Sequence, residues 1–112
     1  MTTNHHAGHA AEQRAARYLQ SKGFKLIEIN WHTKLVEVDI IAEKAGRLYF
    51  IEIKYRRNLD QGNGFDYITS KKIQRMKLGA EMWLSKNYWP GEVTLAALSA
   101  NSDDNFEILE LT

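Results

Sequence analysis

The sequence predicts one α/β (α+β) domain in the order αβββαββ, a sheet with helices packed on it. Apolar residues recur at helical spacing near the start and in the middle of the chain, whereas the segments between and after them alternate or run apolar over strand lengths. Gly23, Gly46 and the Trp89-Pro90-Gly91 break fall between these segments as punctuation. With 112 residues, 44% of them hydrophobic and 26% charged, the chain has the size and balance of a single globular domain.

Residues 1–7 read as a flexible tail and 8–112 as the domain. Over 8–22, Ala10, Ala11, Ala15, Tyr18 and Leu19 form an apolar stripe, and Gly23 stops the helix. Glu12 lies in its early turns, where the helix dipole favours a carboxylate, so the residue by itself reads as a local stabiliser. Residues 24–31 alternate as a strand, and His32, Thr33 and Lys34 connect it to the next. Residues 36–42 and 48–55 are two further strands about a turn at 43–47, where Gly46 supplies permissive backbone. Residues 58–66, with Gly62 and Gly64 and no periodicity, read as a mobile loop. Thr69 or Ser70 caps a second helix that runs to about Asn87 and buries Ile73, Met76, Ala80 and Trp83 or Leu84. Residues 92–98 and 106–111 close the sheet.

The absence of cysteine excludes disulfides, thiolate metal sites and a cysteine nucleophile, so any metal must rest on oxygen or imidazole. No apolar run approaches the roughly 20 residues of a membrane span, and the opening residues lack the apolar core of a signal peptide. The expectation is a cytoplasmic protein with no membrane partner. His5, His6 and His9 invite a metal reading, since His5 and His9 would lie one helical turn apart, but a frayed tail cannot preorganise ligands. Net charge is only +1, but residues 54–77 carry a net of +5 and the remainder −4. A basic side directly downstream of the carboxylates points toward a polyanion.

The chemistry concentrates in residues 35–57. If Ala45 and Gly46 form the middle of the turn, facing residues sum to 91, and Asp39 stands opposite Glu52 with Glu37 opposite Lys54. Alternation then puts these four on one face and Val38, Ile40, Tyr49, Ile51 and Ile53 on the other. Like charges directly opposite destabilise a sheet. A divalent cation held by carboxylate oxygens offsets that cost, and Mg²⁺ (or Mn²⁺) suits hard oxygen ligands that leave room for water and phosphate. Lys54 is then placed to hold the attacking water or offset charge developing at phosphorus. The plainer alternative is a solvated strand face with Glu37 and Lys54 as a cross-strand ion pair. Lys71, Lys72 and Arg75 read equally as a phosphate-holding face or a solvated helix start, and Arg56 and Arg57 extend the basic segment. Tyr55, Phe65 and Tyr67 flank that segment as minor core or as platforms for exposed bases. Trp83, Tyr88 and Trp89 pack under the helix end or form a homodimer contact.

Asp39 followed by Glu52-Ile53-Lys54 resembles the PD-(D/E)XK nuclease superfamily, with an acid on one strand and Glu-X-Lys on the next. The resemblance is closer to the YraN-type family of small endonuclease-like proteins, akin to Holliday-junction resolvases. Gly8, Glu12, Ala15, Tyr18, Leu19, Gly23 and Asn30 match its opening, Val36-Glu37-Val38-Asp39-Ile40-Ile41-Ala42 its first block, Phe50-Ile51-Glu52-Ile53-Lys54-Tyr55-Arg56 its second, and Lys72 its helix-2 lysine. Val36 replaces the family's usual Gly, and His32 a common Arg.

The resemblance implies a restriction-endonuclease-like fold with a mixed central sheet. It also raises Glu12 from helix stabiliser to metal ligand, beside Asp39 and Glu52. The expected function is a metal-dependent endonuclease acting on DNA, branched or flapped forms included. Asp39, Glu52, Lys54 and Glu12 carry the chemistry; Arg56, Arg57, Lys71, Lys72 and Arg75 hold the nucleic acid. The alternative is a catalytically silent nucleic-acid-binding adaptor on the same fold.

Overall fold

A computed structural model describes residues 2–56, 65, 68–101 and 105–112, with side chains described for 10–55, 65, 68–101 and 105–112. The elements are α1 (Thr2–Ser21), β1 (Lys25–His32), β2 (Glu37–Lys44), β3 (Arg47–Arg56), α2 (Ser70–Leu84), β4 (Glu92–Asn101) and β5 (Phe106–Glu110). The predicted order αβββαββ is the observed one. Helix α1 begins at Thr2, ahead of the expected start at Gly8, so residues 2–7, expected as a tail, are helical. Nothing upstream of Gly8 breaks a helix, and one interior glycine costs only about 1 kcal/mol relative to alanine.

The five strands form one mixed sheet in the order β1-β2-β3-β4-β5. β1, β2 and β3 run as an antiparallel meander, β4 lies parallel to β3, and β5 returns antiparallel on the outer edge. Parallel neighbours need a crossover, which the chain makes through α2. Thr69 caps that helix, its Oγ1 accepting from the Lys72 N–H at 3.1 Å. Met76, Gly79, Ala80 and Trp83 are the buried stripe. The loop expected over 58–66, as well as Arg57 and Tyr67, lies outside the described residues apart from Phe65.

Each face of the sheet has its own core. Ala15, Ala16 and Leu19 of α1 pack on Ile40, Ala42, Tyr49, Ile51, Ala96 and Leu98. Met76, Ala80 and Trp83 of α2 pack on Val38, Ile41, Leu48, Phe50 and Leu95. Close approach of α2 depends on Gly79, where an added Cβ would stand 3.0 Å from Val38 Cγ2. At the hairpin, Ala45 and Gly46 take φ of 53° and 77°, the left-handed pair of a two-residue turn whose twist matches the strands it joins. The predicted register follows: Lys44 faces Arg47, and the pairing continues through Ile41 with Phe50 to Ile40 with Ile51.

There the β2–β3 ladder ends. Beyond it β2 stays with β1, Val38 facing Trp31 and Glu37 facing His32, while β3 stays with β4 as far as Arg56 and Asn101. The sheet is forked at this end. Val38 packs with the α2 core and Ile40 with the α1 core, so strict alternation breaks between them, contrary to the single face expected for both. Asn30, which the β1–β2 register brings opposite Asp39, has φ 58°, a conformation asparagine tolerates better than most residues.

Candidate functional site

The fork sets the geometry of the acids. Asp39 stands where β2 leaves β3, and its Oδ2 accepts from the backbone N–H of Ile53 at 2.7 Å. A side chain thus supplies the acceptor that the neighbouring strand no longer provides. Glu12 of α1, Glu37 and Asp39 offer carboxylate oxygens that all lie within 4.8 Å of one another. Glu52 is bound from the other side of the sheet, where Lys72 Nζ of α2 approaches its Oε2 at 2.9 Å. Glu37, Asp39, Glu52 and Lys54 therefore do not share one flat face, as alternation alone suggested. Glu37 and Asp39 meet α1, Glu52 meets α2, and the gap between the strands joins the two sides.

A cleft of about 230 Å³ opens on this gap, lined by Val36, Glu37, Asp39, Glu52, Lys72, Arg75 and Met76. The Asp39 carboxyl is pushed up to about 7 from its ordinary 3.8, first by burial and then by the charges of Glu52, Glu37 and Glu12, against the stabilising Ile53 N–H. A carboxyl that titrates near neutrality among other carboxylates marks a place where positive charge is in demand. The donor set fits a hard divalent cation: it is all oxygen, and one member is half-buried and fixed by a backbone bond. Neighbouring oxygens around one octahedral Mg²⁺ at about 2.0–2.1 Å lie about 3 Å apart, so the three carboxylates would draw together from separations of up to 4.8 Å to hold it.

Of the residues singled out in the sequence, Glu12 and Asp39 come together, and Glu52 lies close enough to raise the Asp39 pKa while its own oxygen is held by Lys72. Glu37, read either as an ion-pair partner or as a ligand, joins the cluster. Lys54 is exposed on β3 in the forked region. Arg75 lines the cleft with Lys72, and Lys71 is exposed at the start of α2. Arg56 ends β3, but its side chain and the whole of Arg57 lie outside the described residues, as do the side chains of His5, His6 and His9. The Tyr55 ring carries the Arg14 guanidinium over it at 5.3 Å, so that ring is already engaged within the protein. Trp83 is buried and donates from Nε1 to Glu28 Oε2 at 2.9 Å, whereas Tyr88 is 87% exposed.

No helix among the described residues is long and apolar enough to cross a membrane.

Comparison with known sequences agrees with the motif reading. The chain is 36% identical over 87 residues to a UPF0102 protein of Neisseria meningitidis, covering 78% of this chain and 76% of that one. It is 37% identical over 81 residues to a UPF0102 protein of Syntrophomonas wolfei, covering 72% and 70%. With a UPF0102 protein of Nitrosococcus oceani it shares 39% identity over 84 residues, covering 75% and 68%. The profile described as Uncharacterised protein family UPF0102 matches residues 11–110, and the chain belongs to that family, the YraN-type family its motifs resemble.

Proposed function

We propose that this protein is a metal-dependent hydrolase of DNA phosphodiester bonds, with branched and flapped DNA among its substrates. The observation that carries the reading is Asp39, a half-buried carboxyl titrating near 7 within 4.8 Å of two further carboxylates, in a cleft that also presents Lys72 and Arg75. Glu12 and Asp39 hold Mg²⁺ or Mn²⁺, with Glu37 and Glu52 as the further acids available to it. Such a cation, when bound, would supply Lewis-acid polarisation of the phosphate and a coordinated water of lowered pKa. Asp39 is positioned for this by Ile53, which fixes one of its oxygens. Lys54 orients the attacking water and offsets charge on the phosphorane. Lys72 and Arg75 line the cleft to receive phosphates, and Lys71, Arg56 and Arg57 are the further basic residues assigned to the nucleic acid.

The test is cutting of linear, branched, flapped and single-stranded DNA by the purified chain with Mg²⁺ or Mn²⁺. Asp39→Ala and Lys54→Ala should abolish cutting while the far-ultraviolet circular dichroism is kept. If the wild type cuts none of these with either cation, the reading is wrong.

The Lys72–Glu52 pair favours a second reading, because it neutralises an acid that a metal centre would use. On that reading the protein is a nucleic-acid-binding adaptor. Salt-sensitive DNA binding that survives EDTA and Asp39→Ala, with no cutting, distinguishes it.

A further inference from the structure

Leu35 is 67% exposed, beside the cleft rather than in either core. A leucine side chain left in water forgoes about 1.5–3 kcal/mol of burial. The backbone that presents it is well tied. The Thr33 N–H donates to the Val36 carbonyl at 2.8 Å, and Thr33 Oγ1 accepts from the N–H groups of Leu35 at 3.0 Å and Val36 at 3.2 Å. Thr33 thus locks the β1–β2 connection into a turn with Lys34 and Leu35 at its tip. The two residues that follow, Val36 and Glu37, line the acidic cleft. Across that cleft stand Lys72 and Arg75.

An apolar side chain on a rigid tip, with cationic Lys34 beside it and Lys72 and Arg75 on the far wall of the cleft, has the form of a wedge for stacked bases. Side chains such as leucine enter nucleic acid by parting a base step, at a cost of a few kcal/mol for the unstacking. The cost is lowest where stacking is already interrupted. Lys34 complements the phosphate next to the opened step. We infer that the Thr33-locked tip, through Leu35, inserts between bases at the mouth of the site and makes it select nucleic acid whose stacking is already broken. Leu35 is a specificity-determining residue, and its role rests on the reading of the cleft as a nucleic-acid site. It requires no cation and no bond cleavage.

The test uses the full chain in EDTA with two DNA probes, a continuous duplex and the same duplex interrupted by a branch, each carrying 2-aminopurine at the central step. Binding is read by anisotropy and unstacking by 2-aminopurine fluorescence. The wild type should prefer the branched probe and raise its fluorescence. Leu35→Ala should lose the rise and reduce the preference about tenfold, equivalent to about 1.4 kcal/mol, with an unchanged melting temperature. Leu35→Met should restore both. If Leu35→Ala binds and unstacks as the wild type does, the wedge is overturned while the nucleic-acid reading stands. If the wild type binds no probe even at low salt, that reading falls and the wedge with it. If Leu35→Ala alters self-association by light scattering and leaves the fluorescence response intact, the exposed leucine serves a contact between copies and the wedge is overturned.

Discussion

The Ile53 N–H donates to Asp39 Oδ2 at 2.7 Å, at the first position where β2 and β3 no longer pair through their backbones. One carboxylate thereby does two things: it clasps the two strands and contributes the raised-pKa member of the acidic cluster. Substitutions at Asp39 separate these roles. Asp39→Asn keeps an acceptor for Ile53 and removes a charge from among its like neighbours. Asp39→Ala leaves the Ile53 N–H without its acceptor, at a cost of about 1–3 kcal/mol. In EDTA at pH 8, urea unfolding should rank the Asp39→Asn variant at or above the wild type and the Asp39→Ala variant below both. Equal stability of the two variants would show that the clasp contributes nothing.

The same carboxyl has a signed pH dependence. Its pKa rises from 3.8 to about 7 on folding, so across that window the folded chain holds a proton that the unfolded chain has lost. Asp39 therefore withdraws stability as pH climbs through the window, with its full contribution present only below the lower value. Melting temperatures in EDTA from pH 4.5 to 8 should fall relative to those of Asp39→Asn. Because Mg²⁺ or Mn²⁺ competes with the proton, adding it should stabilise the wild type more at pH 8 than at pH 5. A wild-type profile parallel to that of the Asp39→Asn variant sinks the assignment.

Lys72 holds Glu52 at 2.9 Å with both side chains partly exposed, 38% and 23%, so the pair contributes at most about 1 kcal/mol to stability. Its larger effect is electrostatic. Lys72→Met removes a cation from beside the acids and frees Glu52 to turn toward them. Calorimetric titration should show Mn²⁺ binding strengthened a few-fold, with DNA affinity reduced. Weaker Mn²⁺ binding in this variant would contradict the arrangement.

Gly91 enters β4 against the β2–β3 hairpin. An added Cβ would lie 2.5 Å from the Gly46 carbonyl oxygen, which is backbone and cannot rotate away. Gly91→Ala should destabilise by about 1–3 kcal/mol, read as a shifted urea midpoint. Gly46→Ala tests a different cause: no atom lies near its Cβ position, and only φ of 77° opposes the side chain. Two variants of equal chemistry thus probe sterics and backbone conformation separately.

The hairpin register is legible in the residues because Ala45-Gly46 sets the turn and the apolar alternation around it admits one pairing. The helices are legible from Leu19, Met76, Ala80 and Trp83, whose spacing defines buried stripes. The fork is not. Val38, Ile40 and Ile41 are all β-branched and apolar, so the switch of faces between Val38 and Ile40 leaves no mark in the pattern. Its one local sign is Asn30, a residue type that accepts positive φ, facing Asp39 across β1. Missing the fork also misplaces the acids. Flat-strand reasoning pairs Asp39 with Glu52 and leaves Glu37 uncertain, whereas the parted strands gather Glu37 with Glu12 and Asp39 and leave Glu52 to Lys72. The resemblance supplied Glu12, which its position in a helix could not.

The parting of β2 from β3 also divides the hairpin by how its amides exchange with solvent. Between Ile40–Ile51 and the Ala45-Gly46 turn, β2 has a ladder partner on each side, and opening there requires the sheet to come apart. Past that point the backbone of β2 is laddered to β1 alone, an edge strand whose own register slips between Leu26 and Glu28, and the Asp39 clasp is its link to β3. Exchange around Glu37 and Asp39 should then proceed by local opening of this two-stranded ribbon, with a free energy well below that of global unfolding. Glu37 and Asp39 sit where β2 has a ladder partner on one side only. A cation that bridges them would announce itself as slowed exchange at Asp39 and Ile53, with Phe50 unchanged.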